Sequence, residues 1–347
     1  MAMVDVTVRG GGIFGLAVAH ACATRGARVR LVEARAIGAG SSGGLVGALA
    51  PHVPENWNDK KAFQLESLLM AQDYWAGIET LSAQSSGYGR LGRLQPLADD
   101  RAVEMARARA KNAAELWQGR AEWKVIEASH FAGWAPPSAT GLLIHDTLSA
   151  RMHPRLAAQA LAAACRALGV EIVIGEAEDS GAVVWATGWE GLVELSRTLG
   201  KTVGNGVKGQ SLLLGHSATD LPQLFADSLH IIPHANGTVA IGSTSERDFD
   251  APDTVDAQCD ALHTRALAIC PALAGAPVID RWAGVRPRAK SRAPMLGPWP
   301  GRPGHFIANG GFKIGFGMAP KVGEVMADLI LADRDTIPEG FHVEANL

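Results

Sequence analysis

The β-branched run Val4-Asp-Val-Thr-Val8 leads into Gly10-x-Gly12-x-x-Gly15, and an acidic residue, Glu33, closes the next such run, Arg28 to Glu33. Each glycine answers a separate steric demand. Gly10 permits a tight turn after the strand, Gly12 lets a pyrophosphate approach the backbone, and Gly15 lets helix and strand pack closely. The helix that opens there offers unpaired N–H groups and a partial positive charge to phosphate. Glu33 can accept hydrogen bonds from both ribose hydroxyls and would repel a 2′-phosphate. The spacing predicts a βαβ dinucleotide-binding unit and, by itself, leaves NAD and FAD open.

At 347 residues the chain suits two closely joined domains rather than one small core. Its net charge of −3 gives no electrostatic footprint for nucleic acid or an anionic membrane, so a small molecule is the expected partner. The four cysteines (Cys22, Cys165, Cys259, Cys270) are scattered without a CxxC or a histidine cluster. That pattern excludes a disulfide framework and a zinc site, predicts no metal, and suits a reducing cytoplasm. No window reaches 18 apolar residues free of breakers, so no membrane span is expected. Helical periodicity marks residues 60–83 and 99–118, a helix from Pro154 to Gly169, and a last helix near Pro320 with Val322, Val325, Met326, Leu329 and Ile330 on one face. Strands are expected at 90–95, 170–174, 182–186, 210–214, 229–232 and 238–241.

Four further segments join the fingerprint: Gly38-Ala-Gly-Ser-Ser-Gly-Gly-Leu-Val-Gly47, Trp185-Ala-Thr-Gly188, Trp282-Ala-Gly-Val-Arg-Pro287 and Gly310-Gly-Phe-Lys-Ile-Gly315. In this order the chain resembles the D-amino acid oxidase superfamily of flavoenzymes, particularly glycine oxidase and monomeric sarcosine oxidase, over nearly its whole length. The resemblance implies FAD and an α/β fold: a Rossmann-type FAD-binding domain with an inserted, mainly antiparallel substrate-binding domain. The expected division is 1–80, 145–204 and 281–347 for FAD, with 81–144 and 205–280 for substrate. The cofactor-binding positions it implies are Gly10, Gly12, Ile13, Phe14, Gly15, Glu33, Ala34 and Arg35 in the first unit, and Ser41, Ser42, Gly43 and Leu45 in the Ser/Gly loop. Ala186, Thr187 and Gly188 follow, then Gly310, Gly311, Phe312, Lys313 and Ile314 before the last helix.

For the substrate the resemblance points to a carboxylate held by Arg286 and Lys313. A guanidinium fork suits two carboxylate oxygens. His230 stands where glycine oxidases place a tyrosine, and His52 follows the Ser/Gly loop; both are candidates to reach the pocket. No cysteine lies near Gly284 and Leu45 replaces the histidine used for attachment in some relatives, so the FAD is expected to be non-covalent. The implied reaction is oxidation of the C–N bond of an amino acid or N-alkyl amino acid by hydride transfer to flavin, giving an imino acid. Alternatives are a flavin-binding subunit of a heteromeric amino acid or sarcosine dehydrogenase and an NAD-dependent dehydrogenase. Finally, Arg286, Arg288, Lys290 and Arg292 recur at spacing two, so an extended segment would point all four one way. Either only Arg286 faces the flavin while the others are solvated or touch phosphate groups, or the run marks a second anionic group on the substrate, held by Arg288 or Arg292.

Overall fold

The computed structural model describes residues 4–347. Strand Val6–Arg9, helix Ile13–Thr24 and strand Val29–Glu33 form the βαβ unit. The helix is apolar nearly all round because it is covered on several sides. A Cβ at Gly323, on helix Gly315–Ala332, would lie 2.7 Å from Ala17 O, so the two helices meet almost backbone to backbone.

Six strands form the first sheet, in the order Met295–Pro298, His305–Asn309, Ala182–Trp185, Val6–Arg9, Val29–Glu33, Glu171–Ile174. All pairs are parallel except the Met295–Pro298 edge. Helices Asp59–Ser82, Pro154–Ala167 and Gly315–Ala332 pack with Ile13–Thr24 into the main core.

The second sheet has eight strands: Val278–Ala289, Gly204–Leu214, Val239–Gly242, Leu229–Pro233, Gln223–Ala226, Arg93–Pro96, Leu142–Asp146 and Trp123–Glu127. Its one parallel pair joins Gln223–Ala226 to Arg93–Pro96. Leu212, Leu214, Ile231 and Ile241 turn to helix Ala257–Ile269, which covers one face. The other face looks towards the first sheet.

Three sequence expectations change. The last helix begins at Gly315, with Pro320 inside it. Proline lacks one donor at that point, and the next N–H, of Lys321, donates to Ser67 Oγ of a neighbouring helix at 3.3 Å. Strand Val278–Ala289 runs through position 281 and pairs with Gly204–Leu214 from Gly204↔Ala289 to Leu214↔Val278. The arginine run ends with that strand. Lys290 donates to Leu347 O and Arg292 sits at φ +62° in a turn, so neither shares the direction of Arg286. All four cysteines are free and buried, and among the described residues no helix is long and apolar enough to cross a membrane.

Candidate active site

A cavity of about 930 Å³ opens between the C-terminal ends of the parallel strands and the uncovered face of the antiparallel sheet. Ligands of open α/β sheets bind at such strand ends. Gly10, at φ +112°, turns the chain where a Cβ would lie 2.3 Å from Ala186 O. A Cβ at Gly15 would lie 1.9 Å from Gly10 O, which forces helix against strand. Gly12 differs: its only near neighbour would be Ser42 Oγ at 3.3 Å, and that side of it faces the cavity. Ser42 Oγ accepts from Ile13 N at 2.9 Å, so the Ser/Gly loop caps the fingerprint helix. Glu33 accepts from Gly11 N at 2.7 Å and Arg35 N at 2.9 Å, fixing its carboxylate at the cavity wall with lone pairs to spare.

Further along, Ser41, Leu45, Ala186, Thr187 and Gly188 line the wall with Ala34 and Arg35. Asn309 Nδ2 donates to Gly188 O at 2.8 Å and ties two strand ends together. Gly310 takes φ +75° and Phe312 φ +43°, and Phe312 N donates to Pro287 O at 2.9 Å. This turn lays Gly311, Phe312, Lys313 and Ile314 along the cavity and brings the N-terminus of helix Gly315–Ala332 to it. Ile13 and Phe14 line it too, whereas Gly15, Gly43 and Gly310 stand behind the wall and shape it by close backbone approach. The sterically emptied Gly12, the carboxylate of Glu33 and two helix N-termini on one elongated cavity fit a dinucleotide such as FAD.

The other end carries Arg286, Lys313, His230 and His52. Arg286 is nearly buried, and desolvation brings its pKa down to about 10. Nη1 donates to Ser243 Oγ at 2.7 Å, while Nη2 donates to Thr244 O at 2.7 Å and Lys208 O at 3.1 Å. Nε is buried without a partner. So Nε and one Nη1 proton are the donors left for a ligand, a narrower offer than a free fork. Lys313 is held below the ordinary lysine range by burial and by the Arg286 charge. Burial, with Arg93 and Lys313 adding to it, pushes His230 down to about 3, and its Nδ1 has no partner. His52 is lowered by burial as well; its ring lies against Gln64 Oε1, which also accepts from His52 N at 2.8 Å.

Of the spacing-two run only Arg286 reaches the cavity; Arg288 lies over the Phe312 ring at 5.8 Å. Arg93, Phe225, Ser243 and Trp282 line the substrate end and were not singled out individually from the sequence. A signal for Arg93 exists: a charged residue beside Leu94 in a short strand between Gly92 and Pro96.

Comparison with known proteins agrees with this geometry. A family model described as FAD dependent oxidoreductase matches residues 5–329. A glycine oxidase of Pseudomonas putida is 33 % identical over 184 residues, which is 50 % of either chain. The chain thus spans about half the length of the first curated relatives it matches. A glycine oxidase of Geobacillus kaustophilus is 27 % identical over 353 residues, 94 % of this chain and 92 % of that one. The crystal structure of glycine oxidase from the same species superposes with a TM-score of 0.83 at 22 % identity, covering 98 % of both chains. The fold is therefore the expected α/β one, and the dinucleotide alternative of NAD falls away. The chain belongs to the family of FAD dependent oxidoreductases.

Proposed function

We propose that this protein oxidises the Cα–N bond of an amino acid or N-alkyl amino acid, with FAD held without a covalent bond. The observation that carries the reading is the convergence of two cations, the buried Arg286 and the exposed Lys313, at one end of a cavity whose other end is a dinucleotide cradle. Gly10, Gly12 and the N-terminus at Ile13 would hold the pyrophosphate and Glu33 the ribose, while Gly311–Ile314 and the following helix would flank the isoalloxazine. When bound, the flavin supplies the two-electron acceptor for a hydride.

The chain's own residues supply position. Arg286, through Nε and its free Nη1 proton, and the Lys313 ammonium hold the substrate carboxylate, which fixes the direction of the Cα–H bond. A His230 that titrates near 3 stays neutral at physiological pH, so it acts as a hydrogen-bond partner and does not store a proton. The substrate loses a hydride from Cα and a proton from nitrogen, and water later hydrolyses the imine. The glycine oxidases matched end to end favour an enzyme active by itself over a flavin-carrying subunit. The net charge of −3 supports a small molecule as the partner, and the buried free thiols suit the cytoplasm.

The test is anaerobic. Amino acids and N-alkyl amino acids, each beside the amine lacking its carboxylate, are mixed with the holoenzyme while the flavin band is followed. Bleaching by at least one carboxylate-bearing compound and not by its amine is expected. Equal bleaching by the amine, or none by any compound, would refute the proposal.

A further inference from the structure

One more cation enters the cavity. Arg93, on strand Arg93–Pro96, is 6 % exposed and lines the substrate end with Phe225 and His230. Sheet register brings it there. Arg93 stands opposite Gln223, Phe225 opposite His230, His230 opposite Gly242, Gly242 opposite Ser211, and Ser211 opposite Trp282. Opposed residues share a face and alternate residues return to it. Arg93, Phe225, His230, Trp282 and Arg286 therefore belong to one face, although they come from four different strands.

The hydrogen bonding of Arg93 is one-sided. Nε donates to Asp146 Oδ2 at 2.9 Å, and Asp146 Oδ1 accepts from Ser149 N at 2.8 Å. Among the described residues no hydrogen bond engages Nη1 or Nη2 of Arg93. Other pairs in the same molecule do use both edges of the fork: Arg28 binds Asp5, and Arg109 binds Glu55, through Nε and Nη2 together. Beside Arg93 the Nδ1 of His230 is a buried polar atom without a partner. The carboxylates on the cavity wall, Glu33, Glu176 and Glu190, all cluster with the dinucleotide cradle, while Asp146 and Glu246 sit outside the wall. The substrate end thus presents Arg286, Lys313 and Arg93 to a ligand with no facing anion.

We propose that Arg93 recognises a second carboxylate of the substrate, so that the preferred class is amino or N-alkyl amino acids bearing a distal carboxylate. This rests on reading Arg286 and Lys313 as the holders of the α-carboxylate. The second anion that the spacing-two run suggested is thereby reassigned, from Arg288 and Arg292 to a residue nearly two hundred positions earlier. A desolvated, charge-assisted contact to the free Nη edge should be worth about tenfold or more in affinity.

The experiment is calorimetric titration of the holoenzyme with glutarate and with valerate, two acids of equal chain length that differ by one carboxylate. Wild type should bind glutarate at least about tenfold more tightly. In R93M/D146N, which removes both charges and leaves no buried carboxylate alone, that preference should fall to near unity with valerate unchanged. R93K keeps the ion pair, serves where the double variant does not fold, and should lose most of the preference. Equal binding of the two acids by wild type, or a preference that survives both variants, would overturn the assignment. Failure of the underlying reading looks different: valerate would then bind Arg286→Lys as tightly as wild type, whatever glutarate does.

Discussion

Replacing Gly15 by alanine sets two effects of opposite sign against each other. Alanine in a helix is favoured over glycine by up to about 1 kcal/mol. Against that, the new Cβ would sit 1.9 Å from Gly10 O, about 1.5 Å inside the 3.4 Å at which ordinary contact begins. The obstacle is a backbone carbonyl, which has no rotamer to escape into, so the helix must retreat from the strand. Overpacking of this kind costs roughly 1–3 kcal/mol or more, and the clash wins. The same retreat moves the N–H groups of the helix N-terminus off the pyrophosphate. Losing one or two such charge-assisted bonds at roughly 1.5–3 kcal/mol each lowers FAD affinity by about ten- to a thousandfold or more. Gly12→Ala is the control within the same motif. Its Cβ meets only Ser42 Oγ at 3.3 Å and its φ of −80° suits any residue, so the apoprotein should lose less than about 1 kcal/mol. The cavity side of Gly12 is blocked all the same, and FAD affinity should fall as far as in Gly15→Ala. Urea unfolding of both apoproteins, with fluorescence titration of FAD, separates the two variants. If Gly15→Ala leaves apoprotein stability and FAD affinity at wild-type levels, or Gly12→Ala binds FAD normally, the steric argument fails.

Three other outcomes are expected. Acid precipitation of the holoprotein should release the yellow colour to the supernatant, and colour kept in the pellet would show a covalent bond. Arg286→Ala should slow anaerobic flavin reduction by a carboxylate substrate by about 2–5 kcal/mol of transition-state binding; Lys313→Ala should do less, because an ammonium is less directional, and the reverse order measured by stopped flow would reassign the grip. His230 and His234 are both held near 3 by burial against an ordinary 6.5, so the unfolded chain binds more protons between those values. The stability they contribute is full above pH 6.5 and declines towards pH 3 by up to about 1.4 kcal/mol per pH unit for each. Urea midpoints at pH 7 and pH 5 should differ accordingly, and the difference should shrink in His234→Gln.

What the sequence reveals here follows the range of the interaction. The βαβ unit is local, its glycines are steric requirements, and the first helix, the helices Asp59–Ser82, Asp100–Trp117 and Pro154–Ala167, and the fold class were all legible. Pro320 misplaced the start of the last helix, since a proline in a helix reads as a first-turn residue unless a neighbour such as Ser67 satisfies the next N–H. The length of Val278–Ala289 was hidden because its hydrogen bonds go to a partner 64–85 residues away in sequence. Arg93 was missed for the same reason: its position on the cavity face is set by pairing across strands far apart in the chain. The run from Arg286 to Arg292 misled because period two holds only as far as the strand does, and it ends at Ala289.

The paired strands Gly204–Leu214 and Val278–Ala289 also bear on how the protein can move. Near Gly204 and Ala289 both are anchored to the first sheet's core, where Val203 and Ala289 pack with Leu192, Met295 and Ile307, and both continue without interruption into the antiparallel sheet. These two of the four chain crossings between the sheets are therefore one hydrogen-bonded ribbon, which resists bending across its width far more than two separate single-chain linkers would. Rigid-body swinging of one sheet away from the other would have to shear that ladder or repack its base. Exchange of substrate and product is then a matter of side chains and short turns at the cavity mouth, and its rate should respond to changes at Phe312 or Ser228 more than to changes in the ribbon.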